Sequence, residues 1–277
     1  MNDNPAMPPT GGPSAPQGAS GPPRRLPMPQ WPLTVIETQQ ITPKMRRAVF
    51  GGATLDAFAW KPGQDVVLMI PHAGGEPDRR HYTIRWFDQA RRRLAIDFVL
   101  HGHDSPAVKW IKSAKPGDTL LAAGPRGRTV VNPDADWHLF TGDETCLPGI
   151  FAMLESLPAQ AKAFAFIEIA DRSEAQPLSA KADVAIEWIY RDGPASPSSQ
   201  ALIERFGAFK LPPGKGQAYV IGETSTVRAQ RQGLVARGFD KGRIAAEGYW
   251  RPGRIGHHDH IWDDGEGPMR AAAPRPA

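Results

Sequence analysis

Residues 137–155, WHLFTGDETCLPGIFAMLE, decide how this chain is read. Trp137–Thr141 is an apolar run short enough for a buried strand, Gly142–Thr145 is turn material, and Leu147–Glu155 carries apolar side chains over a helix's length. Strand, turn and helix in that order form the first half of a βαβ unit. The same grammar continues downstream. Ala163–Ala170 and Val184–Tyr190 read as strands, Ser199–Phe206 as a helix, Tyr219–Ile221 as a buried strand, Val227–Arg237 as an amphipathic helix and Ile244–Tyr249 as a last strand. Such alternation predicts a parallel sheet covered on both faces, with ligands at the carboxyl ends of its strands.

Upstream the pattern is different. Leu33–Thr38, Arg46–Phe50, Asp65–Ile70, His81–Trp86, Leu94–Leu100 and Thr119–Ala123 are short β-prone runs. They are divided by turn segments such as Lys61-Pro62-Gly63, Ala73-Gly74-Gly75-Glu76-Pro77 and Lys115-Pro116-Gly117-Asp118. One short helical piece, Pro106–Ala114, interrupts them. Six strands with so little helix predict a small antiparallel barrel, because closure removes exposed edges. The chain therefore divides into a Pro-rich leader over 1–30, a barrel over 31–133, an α/β domain over 134–255 and a flexible tail over 256–277.

Composition sets outer limits. Of 277 residues 40% are hydrophobic and 22% charged, as expected of a soluble folded protein. Ten of the 29 prolines fall within the first 32 residues, a segment too poor in core residues to offset its ordering entropy. The single cysteine, Cys146, excludes an intrachain disulfide and any multi-thiolate metal or iron–sulfur site within the chain. The start, MNDNPAMPPTGG, lacks the basic and apolar regions of a secretory signal, and no apolar run approaches the roughly 18–20 residues of a membrane span. A cytoplasmic location is the expectation. A net charge of +4 does not call for a nucleic-acid partner, while the pI near 9.3 allows local basic patches for anionic ligands.

The chemistry-bearing segment is Arg80-His81-Tyr82-Thr83-Ile84-Arg85. On a strand Arg80, Tyr82 and Ile84 share one face, and His81, Thr83 and Arg85 the other. By itself this is an ordinary strand with two charges. A flavin gives it meaning: a guanidinium for its pyrophosphate, a flat aromatic for its ring and a hydroxyl for its polar edge. The context then accumulates, through Asp97-Phe98-Val99-Leu100-His101-Gly102, Ser105-Pro106-Ala107, Trp110 and Gly124-Pro125-Arg126-Gly127. Further on come Gly142-Asp143-Glu144-Thr145, Ala170-Asp171-Arg172-Ser173-Glu174-Ala175-Gln176-Pro177-Leu178, Gly222-Glu223 and Gly248-Tyr249-Trp250-Arg251-Pro252-Gly253.

This ordered set, spanning roughly residues 31–255, resembles the siderophore-interacting, FAD-dependent ferric-siderophore reductases, a branch of the ferredoxin–NADP reductase superfamily. The resemblance implies a six-stranded antiparallel FAD-binding β-barrel followed by a parallel-sheet α/β nicotinamide-binding domain. It implies that Arg80 binds the FAD pyrophosphate, Tyr82 packs on the ring, Thr83 faces its polar edge and Arg85 completes the signature. Val99, Leu100, His101 and Gly102 would run beside the flavin. Ala107 and Trp110 open a helix whose first amides suit a phosphate. Tyr249 and Trp250 would close over the ring.

In the α/β domain, Asp143 and Thr145 sit where a strand meets a helix, so the amides there either receive NAD(P)H or are capped by those side chains. The chain contains no GxGxxG, and so no ordinary Rossmann fingerprint. Arg172 and Arg191 lie near strand ends, as cofactor contacts or as surface arginines. His257-His258-Asp259-His260 reads as polar tail rather than a metal site, His103 as a loop residue and Cys146 as a buried small residue.

Electron flow follows from the resemblance. A nicotinamide gives two electrons at once and Fe(III) takes one, a mismatch that flavin reconciles. Siderophore oxygens hold Fe(III) far better than Fe(II), so reduction releases the metal. Ferric siderophores are commonly anionic, and Lys44, Arg46, Arg47, Arg126, Arg128, Arg251 and Arg254 are candidate contacts, with Arg126 and Arg251 the preferred pair. Some relatives carry a lysine on the strand here written Asp65-Val66-Val67-Leu68; this chain has none there, which argues against a highly charged triscatecholate substrate. The donor is NAD(P)H or reduced ferredoxin. Two other readings stay open: a flavin reductase module serving another electron-accepting protein, and a non-catalytic siderophore-binding protein that handles iron without flavin.

Overall fold

The structure is a computed structural model, described here for residues 28–71, 75–101, 105–195, 197–254 and, as backbone, 259–260. Its first half is a closed barrel of six strands: β1 (Gln30–Thr42), β2 (Met45–Gly51), β3 (Asp65–Ile70), β4 (Asp78–Asp88), β5 (Arg93–Val99) and β6 (Thr119–Arg126), in the order β1-β2-β5-β4-β3-β6. Every neighbouring pair is antiparallel. Leu33, Phe50, Leu68, Ile84, Ile96 and Phe98 fill the interior, all fully buried or nearly so. Helix α1 (Pro106–Ser113) buries Ala107, Val108 and Ile111 and is capped by Ser105, whose hydroxyl accepts from the Val108 amide.

The second half is a sheet ordered β12-β11-β10-β7-β8-β9. Its strands are β7 (Trp137–Asp143), β8 (Lys162–Ile169), β9 (Asp183–Tyr190), β10 (Gly216–Glu223), β11 (Ile244–Trp250) and β12 (Asp259–His260). β7 to β11 pair in parallel, as the alternation of elements predicts. Period two sorts their side chains onto two buried faces. Phe140, Ile167 and Tyr219 pack with helix α2 (Leu147–Ser156), while Leu139, Phe166 and Val220 pack with α3 (Gln200–Ala208) and α4 (Thr224–Ala236). Because α2 leads from β7 to β8 and α4 from β10 to β11, strand order reverses between β7 and β10. Ligands of open α/β sheets sit at the carboxyl ends of strands at such a point.

The tail departs from expectation in one place. Asp259–His260 is not free chain but a short strand lying antiparallel to Glu247–Gly248 of β11. His257 and His258 lie outside the described residues, as do the leader 1–27 and His103.

The two halves are bolted together. Arg85 on β4 makes two 2.6 Å hydrogen bonds to the Glu155 carboxylate on α2 and lies 5.5 Å over the Phe151 ring. The Glu174 carboxylate accepts from the Thr42 hydroxyl at 2.5 Å and the Lys44 amide at 2.9 Å. Gly149 lets α2 lie directly on β4: a Cβ there would meet the Thr83 methyl at 2.8 Å. Met45, a barrel residue, is buried within the α/β core.

Candidate functional site

The barrel opens along one seam. The β4–β5 ladder runs from Asp88–Arg93 to Ile84–Ile96, with an irregularity between Ile84 and Trp86, and stops there. Beyond that point residues 78–83 of β4 pair only with β3, and Asp97–Val99 of β5 pair only with β2. The two strands diverge, and their main chains face a cleft of about 160 Å³ between the barrel and the α/β half. Backbone groups turned toward a gap instead of a ladder partner are donors and acceptors available to a ligand.

Eight of the residues singled out from the sequence line this cleft: Arg80, Tyr82, Thr83, Val99 and His101 from the barrel, and Thr145, Tyr249 and Trp250 from the α/β half. Arg80 lies 3.4 Å from Asp78 and donates to the Arg79 carbonyl at 3.0 Å, both on its own strand. Tyr82 stands against Phe98 with ring centroids 4.4 Å apart, and burial raises its phenol far above the usual range. The half-buried Tyr249 lines the cleft across the seam from Thr83, and burial raises its phenol well above the normal range.

Three more lining residues, His81, Asp97 and Pro148, were not singled out. Asp97 is buried and held by Arg47 through bonds of 2.6 and 2.7 Å. It precedes Val99 by two, so strand alternation alone would have placed both on one face. His81 lies 2.8 Å from Asp65, which also lies 3.6 Å from Arg126. The alternation of β4 sets His81 and Thr83 opposite Arg80 and Tyr82, yet all four border the cleft because it wraps the unpaired flank of the strand.

Other expected residues lie elsewhere. Arg85 is occupied by Glu155 and serves the joint between the halves. Leu100 and Trp110 pack on the barrel core, Trp110 stacked 6.2 Å from Phe50, and Ala107 is fully enclosed there. Gly102 lies outside the described residues. Arg126 and the half-buried Arg251, whose main chain pairs antiparallel with that of Arg254, stand off the cleft lining. Arg172 lies over the Tyr190 ring at 5.5 Å. Cys146 is buried, which pushes its thiol well above the ordinary range.

A second hollow lies behind Trp250, at the carboxyl ends of the parallel strands. Asp143, at the end of β7, accepts from the Thr145 amide (2.9 Å) and hydroxyl (2.5 Å), from Trp250 Nε1 (2.8 Å) and from the Glu223 amide (3.2 Å). Burial, with the neighbouring Glu144 charge, pushes its pKa up to about 6. Gly222 adopts φ +136°, a conformation that brings its backbone against this carboxylate, and a side chain there would be strained and crowded. Arg191 is clamped by Glu144 at 2.6 and 2.7 Å and by Glu168 at 3.1 Å.

The chemistry of the cleft fits a flavin. A guanidinium, aromatic side chains, a hydroxyl pair and two strands of outward-facing backbone converge on one space between two lobes.

Comparison with known proteins agrees. A family model described as siderophore-interacting protein matches residues 135–253, and one described as siderophore-interacting FAD-binding domain matches 73–129. The fold superposes on a siderophore utilization protein from T. fusca with a TM-score of 0.77 and 32% identity, covering 85% of this chain and 97% of that one. The chain is 35% identical over 200 residues to the ferric vibriobactin reductase ViuB of Vibrio cholerae, covering 69% of each. It is 29% identical to an NADPH-dependent ferric-chelate reductase of Escherichia coli, covering 79% of this chain and 91% of the relative.

Proposed function

This chain belongs to the siderophore-interacting protein family, and we propose that it is an FAD-dependent ferric-siderophore reductase driven by NAD(P)H or reduced ferredoxin. The observation that carries the reading is the parting of β4 from β5 into a cleft bearing Arg80, Tyr82 and Thr83 on one wall and Tyr249 and Trp250 on the other. Residues 31–133 form the flavin lobe and 134–255 the donor lobe, in a cytoplasmic enzyme. No helix among the described residues is long and apolar enough to cross a membrane.

Flavin, when bound, takes a hydride and passes electrons on singly, so that one NAD(P)H reduces two Fe(III) to two Fe(II) with release of NAD(P)⁺ and one proton. The protein's own work is placement. Arg80 would hold the pyrophosphate, with the main chain of residues 97–101 available beside it. Tyr82 gives a wall already fixed against Phe98. Thr83 and Tyr249 face the same cleft from opposite lobes and would bracket the ring between them. No side chain has to shuttle a proton to the iron, so the site needs no acid–base pair.

The iron chelate approaches the open rim, where Arg126 and Arg251 supply positive charge. Arg126 has Asp65 beside it at 3.6 Å, and this carboxylate stands on the strand where some relatives carry a lysine. The local field is therefore weaker than a lysine would give, which favours a siderophore of modest negative charge.

The test begins with colour: purified protein should be yellow and release FAD on denaturation. Reduced anaerobically and mixed with ferric hydroxamate and catecholate complexes, it should yield Fe(II) captured by a ferrous chelator. Arg126→Glu with Arg251→Glu should raise KM for an anionic ferric siderophore about tenfold, from the two charge reversals, and change ferricyanide reduction far less. A colourless protein that binds siderophore would make this a binding module. Equal loss with every acceptor would remove the rim arginines from siderophore recognition.

A further inference from the structure

The crevice at the strand ends of the α/β lobe, where a dinucleotide's phosphates ordinarily settle, is already filled by this chain's own charges. The phosphates of a nucleotide seek helix N-terminal amides and guanidinium groups. Here the helix that follows β10 has its first amides taken by a carboxylate, and the helix that follows β7 has lost one of its own to a proline. At α4, a helix of 13 residues, the Ser225 and Thr226 amides donate to Glu223 at 3.0 and 2.9 Å. The Ser198 amide (3.1 Å) and the Ser225 (2.5 Å) and Thr226 (3.1 Å) hydroxyls converge on the same side chain. Although burial opposes it, these donors hold Glu223 below the ordinary carboxylate range, so it is ionised at neutral pH. At α2, whose N-cap Cys146 makes no side-chain bond, Pro148 in the first turn has no N–H to offer, and Asp143 accepts from the Thr145 amide just ahead of the helix.

The guanidinium is engaged as well. Arg191, the only cation lining the hollow among the described residues, is clamped between Glu144 and Glu168, and Glu168 also accepts from the Ser199 hydroxyl. Trp250, tethered to Asp143, closes the hollow from the flavin side. The space left is about 10 Å³, room for a single water. A phosphate entering would displace Glu223 from its amides and lie beside carboxylates that outnumber the one guanidinium.

We propose that the α/β lobe receives its donor by the nicotinamide end alone, with Glu223 and the Glu144–Arg191–Glu168 clamp barring pyrophosphate and 2′-phosphate from the strand-end crevice. The proposal rests on the reading of this chain as a nicotinamide-dependent reductase and specifies which part of the donor it recognises. NADH and NADPH then serve alike, and the adenylate half adds little.

Flavin reduction of the holoenzyme is followed by stopped flow with NADH, NADPH and reduced nicotinamide mononucleotide, and binding of 2′,5′-ADP is measured by calorimetry. Second-order rate constants for NADH and NADPH within about threefold, the mononucleotide within about tenfold, and no 2′,5′-ADP binding up to about 1 mM are expected. Glu223→Gln keeps an acceptor for the helix amides and removes the charge, and Glu144→Gln loosens Arg191. Either should tighten 2′,5′-ADP binding several-fold. A preference for NADPH above about tenfold, competitive inhibition of NADH by micromolar 2′,5′-ADP, or a mononucleotide inactive beside NADH would overturn the proposal. Failure of both variants to gain 2′,5′-ADP affinity while still folded would do the same. If no nicotinamide reduces the flavin, the proposal falls, whereas ferric-siderophore reduction by the dithionite-reduced protein would leave the reductase reading standing.

Discussion

On the barrel side of Trp250, Arg80 has one carboxylate 3.4 Å away and a carbonyl, both on its own strand; on the sheet side, Arg191 makes three bonds to two carboxylates, one in the turn after β7 and one on β8. The residue type is the same, and the surroundings differ. Arg80 stands where a ladder has ended and backbone faces an open cleft, so its charge is available to a ligand. Arg191 follows β9, where Glu144 beyond the end of β7 and Glu168 on β8 close on it. A guanidinium near a predicted site is thus informative only once its local partners are counted. In this molecule one lobe sets its guanidinium beside an open cleft and the other surrounds its own with carboxylates.

The contrast can be broken by substitution, and the largest effect is expected at Arg191. Its side chain is 8% exposed, and Arg191→Ala leaves Glu144 and Glu168 with unpaired buried charge. A loss of about 3–5 kcal/mol in urea unfolding is expected. A loss below about 1 kcal/mol would mean that the clamp is not structural.

Arg80→Ala should behave in the opposite way. FAD affinity should fall about 10- to 150-fold, the worth of a charge-assisted contact of about 1.5–3 kcal/mol, while apoprotein stability moves by less than about 0.5 kcal/mol. The ratio of flavin to protein absorbance after gel filtration, beside a urea melt, reads both. Unchanged occupancy would remove Arg80 from the pyrophosphate site.

The smallest effect concerns the wall between the two regions. Asp143 has a folded pKa of about 6 against an ordinary 3.8. As pH falls through 6 the folded protein gains a proton that the unfolded chain takes up only near 3.8, so this group's contribution to stability rises from pH 7 toward pH 4. Asp143→Asn should abolish that slope: the stability difference between wild type and variant should shift toward wild type on acidification. A difference constant between about pH 7 and pH 5 would show the carboxyl titrating normally.

Much of this was legible in the primary structure. The strand–helix alternation after Asp136 gave the parallel sheet, because strands buried on both faces are apolar runs. The strand over Asp65–Ile70 was located to the residue, since Gly63 and Pro71 punctuate it. β1 was read too short: Pro32 discourages a strand, and the polar Thr38–Thr42 shows no alternation, yet pairing with β2 and β6 carries the strand from Gln30 to Thr42. Arg80, Tyr82 and Thr83, singled out because their types match a flavin's needs, and Tyr249 and Trp250, singled out by resemblance, all line one cleft. Arg85 was placed beside them by motif, but its partner Glu155 lies 70 residues away on α2, a pairing no local pattern reveals. Asp97 and His81 were passed over because the parting of β4 from β5 is a property of the closed barrel and not of either strand.

The short strand Asp259–His260 has a practical consequence. It caps the outer flank of β11 at Glu247–Gly248, two positions before the Trp250 that walls both hollows. A shortened form ending near residue 255, an obvious choice for crystallisation, would strip that cover and expose main-chain groups of an edge strand to neighbouring molecules. Engineering of the carboxyl terminus should therefore begin beyond His260.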